Sequence, residues 1–69
     1  MTPSELRAIL AKHAITQQRF ADMMGVNKVT VYRWVAGDRP IPHPVAILAG
    51  WLDAGVIPAS MLDEIAGPA

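Results

Sequence analysis

The stretch Gln17–Ala36, QQRFADMMGVNKVTVYRWVA, decides how this 69-residue chain folds. Phe20, Ala21 and Met24 give a short apolar face at helical spacing that stops at Gly25. After a Gly25-Val26 turn, Asn27 is placed to cap a second helix that carries Val31 and Trp34 on one side. Gly25 suits the turn because a residue without Cβ takes a positive φ at no steric cost. Thr16 supplies the cap of the first of these helices and Gly37 the stop of the second. The stretch therefore predicts two short helices meeting at a sharp angle, joined by Phe20, Met24, Val26, Val31 and Trp34, with Ala21 small where they cross. Met23 falls outside the apolar stripe.

Upstream, Thr2-Pro3-Ser4-Glu5 reads as a helix start with a hydroxyl cap, proline at the first helical position and glutamate closing a capping box. Leu6, Ile9, Leu10 and His13 follow at i, i+3, i+4 and i+7, which makes them the core face of helix 1. Downstream, Asp38-Arg39-Pro40-Ile41-Pro42 cannot continue helix 3. Pro44 opens a fourth helix through Asp53 or Ala54, with His43 as a candidate cap and Gly55 as its stop. Its sequence, PVAILAGWLDA, is apolar nearly all round and predicts burial on more than one side, with Trp51 in the core. Gly50 costs about 1 kcal/mol relative to alanine there and marks either an indifferent position or a close helix approach. Pro58 opens a fifth short helix with Met61, Leu62 and Ile65 on its apolar face. The expectation is an all-α fold, one compact five-helix domain over residues 1–69 with no internal repeat.

A chain this short buries only about 60% of its unfolded surface, yet 52% of its residues are hydrophobic. Some of that apolar surface is expected to meet another chain. There is no cysteine, so neither disulfides nor thiolates brace the domain. The longest apolar run, Pro44–Leu52, is far short of the roughly 20 residues a membrane span needs, and no signal-like start precedes it, so the expected location is the cytoplasm. Net charge is zero, but its distribution is not even. All six basic residues (Arg7, Lys12, Arg19, Lys28, Arg33, Arg39) precede Pro40, against Glu5, Asp22 and Asp38, and only Asp53, Asp63 and Glu64 follow.

With Val31 and Trp34 turned inward, a period of about 100° per residue turns Val29, Tyr32, Arg33 and Ala36 outward, with Lys28 on the flank. Such a face suits a DNA major groove. Arginine or lysine donates to guanine N7 and O6, Val29 can contact a thymine methyl, and Asn27 can read adenine or touch a phosphate while capping its helix. Arg39 is a candidate phosphate contact from the following loop.

The stretch TQQRFADMMGVNKVTVYRWVAGDRP resembles the helix-turn-helix core of the lambda Cro and repressor superfamily, often called the XRE family. The matching features are Thr16-Gln17, Phe20-Ala21, Met24-Gly25-Val26, Thr30-Val31, Arg33-Trp34 and Gly37, and the resemblance covers roughly Leu6 to Ile65. It implies a lambda-repressor-like domain in which helices 2 and 3 form the helix-turn-helix. It further implies that Gln17 holds a phosphate while Asn27, Lys28, Val29, Tyr32 and Arg33 read the operator; Thr30, like Arg39, is a further candidate phosphate contact. Val29 and Val35 are apolar where the family commonly has polar residues.

The functional expectation is a sequence-specific transcriptional regulator, a Cro-like repressor or autoregulator of the kind phages and mobile elements encode, anti-CRISPR-associated regulators among them. Double-stranded DNA is the expected partner, bound at a palindromic operator by a homodimer. Helices 4 and 5, residues 44–66, hold the excess apolar residues and are the expected dimerisation region, with the two-fold axis near Val56, Ile57, Met61 and Leu62. The alternative is a protein-interaction module or antitoxin-like subunit that uses the helical domain as scaffold. Catalysis is not expected: there is no cysteine nucleophile, no glycine-rich phosphate loop, and the one close acidic pair, Asp63-Glu64, is merely sequential. His13 and His43 are too isolated to hold a metal, and neither a cofactor nor a small-molecule effector is expected.

Overall fold

Each of the first three helices begins where a short polar side chain can take up an orphan backbone N–H. Thr2 Oγ1 accepts from the Glu5 N–H at 3.1 Å while Glu5 Oε1 accepts from the Thr2 N–H at 3.1 Å, closing the expected capping box. Those bonds from Thr2 hold the Glu5 carboxyl below its ordinary pKa. Thr16 Oγ1 accepts from the Arg19 N–H at 3.0 Å, and Asn27 Oδ1 from the Val29 N–H at 2.8 Å. The computed structural model describes residues 1–58, 60 and 61. Its elements are α1 (Pro3–Lys12), α2 (Gln17–Met24), α3 (Lys28–Ala36) and α4 (His43–Asp53), and no strand occurs among the described residues.

Five helices are expected from the sequence and four are described. The fifth was to open at Pro58; Ser60 and Met61 are helical, with the Met61 N–H donating to Pro58 O at 3.0 Å, and the rest of it lies outside the described residues. Helix α4 starts one residue early, at His43. Pro42 is its cap residue and no side chain bonds the first turn, so His43 is the first helical residue and not a cap.

The helices end alike. At each C-terminus a left-handed residue lets two successive N–H groups turn back onto the last-turn carbonyls. Gly25 (φ 69°) and Val26 do so on Asp22 O and Ala21 O, and Gly37 (φ 83°) and Asp38 on Trp34 O and Arg33 O. After α1 the left-handed residue is Ala14 (φ 54°), with its N–H on Ala11 O and that of Ile15 on Leu10 O.

The core forms where α3 packs on α2 and α1, and α4 packs on α1. Phe20, Leu6 and Val31 are the largest fully buried side chains, joined by Ile9, Leu10, Ile15, Ala21, Trp34, Ala49 and Leu52. Four residues depart from expectation. Met23 is buried and Met24 only half-buried, because α2 is covered over a wider arc than the three-residue stripe implies. His13 is exposed at the end of α1, where it pairs with Asp53 instead of entering the core. Trp51 is 48% exposed. That last departure corrects the reading of α4 as buried on several sides: only Ala49 and Leu52 are buried, Val45 and Leu48 half-buried, and Ile47 exposed. A Cβ at Gly50 would meet nothing within 4 Å, so no close approach is made there among the described residues.

Two polar ties join the helices at their ends. Arg7 donates through Nη1 to Val35 O, linking α1 to α3, and through Nη2 to Ser4 Oγ at 3.2 Å. Asp53, closing α4, accepts from Lys12 Nζ at 3.2 Å and pairs with His13 Nε2 at 3.0 Å.

Candidate nucleic-acid interface

Helix α3 has one covered side. Val31, Trp34 and Val35 are buried, and at about 100° per residue the direction opposite their mean falls between Val29 and Arg33. Val29 lies within about 15° of that direction and Arg33 within about 30°, with Ala36 beside them and Tyr32 further round. Val29 is 54% exposed and Tyr32 56%, both high for large apolar groups on a nine-residue helix. Lys28 is exposed on the flank, and Thr30 is half-buried on the other. Among the described residues no hydrogen bond or ion pair holds the side chains of Lys28, Tyr32 or Arg33. One surface of α3 thus brings together Lys28, Val29, Tyr32 and Arg33.

Asn27 sits at the N-terminal edge of that surface with its Oδ1 committed to the cap. Bidentate pairing with adenine uses both the oxygen and the nitrogen of an asparagine amide, so the cap leaves Nδ2 as the group that faces outward chemistry. Gln17 is the first residue of α2 and half-buried, next to backbone N–H groups at the positive end of the helix dipole. Arg39 is exposed beyond the C-terminus of α3, its own N–H donating to Arg33 O at 3.3 Å. It therefore lies beyond the opposite end of α3 from Asn27, next to Arg33.

The turn that sets α3 against α2 is fixed by Gly25 and by the buried Ala21, which allows close approach of the two helices. Sequence reasoning missed Arg7, whose guanidinium holds the far end of α3. The signal was absent, because a side chain that seeks a backbone carbonyl 28 residues away leaves no pattern in the residue types.

Of the four expected dimer residues, Val56 is 65% exposed and Met61 43% exposed, Ile57 packs half-buried against the core, and Leu62 lies outside the described residues. Ile47 and Trp51, one turn apart on α4, are exposed as well. No group of three or more metal-binding side chains occurs among the described residues, and no described helix is long and apolar enough to cross a membrane.

A family model described as helix-turn-helix matches residues 6–48, well over half of the chain, from within α1 to the middle of α4. No curated protein and no solved structure matches the chain.

Proposed function

Since the chain belongs to the helix-turn-helix family of the lambda Cro and repressor type, and is a DNA-binding regulator of that kind, we propose that it recognises a specific near-palindromic operator as a homodimer. The observation that carries the reading is the outward surface of α3. Val29 and Tyr32 are more than half exposed, and Lys28 and Arg33 stand beside them without a partner among the described residues. In the major groove Arg33 and Lys28 donate to guanine, Val29 and Tyr32 make apolar contact, and Asn27 donates through Nδ2 from the edge. Gln17, Thr30 and Arg39 position the protein on phosphates.

One recognition helix spans about half an operator, and two set about 34 Å apart match successive major grooves on one face of the duplex. The exposed Trp51, Val56 and Met61 supply apolar surface for the second copy, with Ile57 and Leu62 beside them. Repression or autoregulation then follows from occupancy, and its control from protein concentration, in the manner of regulators carried by phages and mobile elements. Selection of bound duplexes from a random library tests the whole reading. A two-fold symmetric consensus is the expected result; binding without sequence preference, alongside tight binding of another protein, would favour an interaction module or antitoxin-like subunit instead.

A further inference from the structure

We infer that each operator half-site presents a C5-methylpyrimidine, thymine in unmodified DNA, directly beneath Val29 and within a base step or two of the guanine that Arg33 reads. The inference rests on the operator-binding reading and narrows it to one base chemistry. Among the residues of α3 the one nearest the outward direction is Val29, whose side chain is apolar and 54% exposed. Arg33 is one turn further along the same line, and Tyr32 flanks Val29 on the other side.

The centre of a reading face is the part pressed deepest into the groove. There an isopropyl group has few acceptable neighbours. Guanine N7 and O6, adenine N7 and N6, cytosine N4 and thymine O4 are all hydrogen-bonding groups, and the thymine C5-methyl is the apolar one. Valine over a polar edge would strip water from that edge and return no hydrogen bond, which is unfavourable, and over the C5–H of cytosine it would find no methyl to cover. Valine over the methyl removes apolar surface from water on both partners. Tyr32 extends the same apolar wall, while Arg33 beside it supplies the donors that the methyl does not need. A polar residue in place of Val29 would leave the central base pair readable by hydrogen bonds; Val29 makes that position depend on a methyl group.

The test uses the full chain and the half-sites selected from a random duplex library. Each thymine of the half-site is replaced in turn by uracil, which lacks only the C5-methyl. One replacement should weaken wild-type binding about fourfold, the factor expected for one buried methyl(ene) group. Val29→Ala should bind the thymine and uracil duplexes alike at that position, with its circular dichroism unchanged because Val29 is exposed. Selected half-sites without thymine, a wild-type chain indifferent to every uracil, or a Val29→Ala chain that still distinguishes the two bases would each overturn the inference while leaving specific binding intact. A chain that selects no site at all would overturn the operator-binding reading and this inference with it.

Discussion

The guanidinium of Arg7 on α1 donates to the main-chain oxygen of Val35 in the last turn of α3. That carbonyl belongs to the last four of the helix, which have no partner inside it. Arg33 O and Trp34 O are taken up by the turn after α3, and Val35 O is taken up by Arg7. The positive charge also sits at the negative end of the α3 dipole. Arg7→Met should lower stability by about 1 kcal/mol, below the roughly 1.5–3 kcal/mol of a charge-assisted hydrogen bond because the side chain is exposed. Urea titration would register it as a lower midpoint at unchanged slope; coincident curves would mean that water replaces the arginine at no cost.

Ala14 is the residue to change for a gain. Its left-handed conformation, φ 54°, costs a residue with a Cβ about 1–2 kcal/mol, and part of the relief from Ala14→Gly is returned as extra freedom of the unfolded chain. The net expectation is a stabilisation of about 0.5–1 kcal/mol, or several degrees in Tm for a domain of this size. A Tm that stayed level or fell would refute it.

Asp53 confers a dependence on pH with a definite sign. The hydrogen bonds from His13 and then Lys12 lower its pKa from the ordinary 3.8, so the folded state binds this proton less readily than the unfolded one. The contribution is complete above the ordinary carboxylate value and is lost as pH falls below it through the lower folded value. Asp53→Asn should therefore flatten the acid limb of the stability curve and leave pH 7 to 9 unchanged in shape. Superimposable acid limbs for the two chains would assign the acid sensitivity elsewhere.

Arg33→Ala should weaken operator binding by about 1–3 kcal/mol if the side chain makes a bidentate guanine contact, and should relax preference at one base pair. Lys28→Ala should do the same on the flank. Gln17→Ala, by contrast, should weaken all duplexes about equally, because phosphate contacts carry no sequence information. Binding curves over a panel of single-base operator variants separate the two patterns, and an altered preference for Gln17→Ala would move that residue into the reading face.

Met61 is 43% exposed, so Met61→Asp should leave helix content intact while lowering dimerisation and operator affinity together. Sedimentation at micromolar concentration, with and without a palindromic duplex, measures both. A wild-type chain that stays monomeric and occupies a single half-site would rule the paired arrangement out.

What could be read in the residues was mostly local. Thr2, Thr16 and Asn27 announced three helix starts, Gly25 and Gly37 two ends, and their spacing placed the outward face of α3 because caps and turns are decided by neighbours in the chain. The errors came from questions of partner. A helix apolar nearly all round, as α4 is, does not say which side the rest of the chain will cover, so its sequence points Trp51 to a core that Leu52 and Ala49 occupy. The left-handed Ala14 was illegible for the opposite reason, since nothing in an alanine advertises a conformation that tertiary packing imposes.

The unequal exposure of the two tryptophans gives the chain a built-in optical record. Trp34, 4% exposed, is shielded by the core behind the recognition surface, whereas Trp51, 48% exposed, stands in water on α4. A dissolved quencher such as iodide reaches the second and not the first. Loss of the quenchable emission then reports that something has covered α4, and a red shift of the protected emission reports that the core has opened. Assembly and unfolding are thereby readable as separate signals from the unlabelled protein.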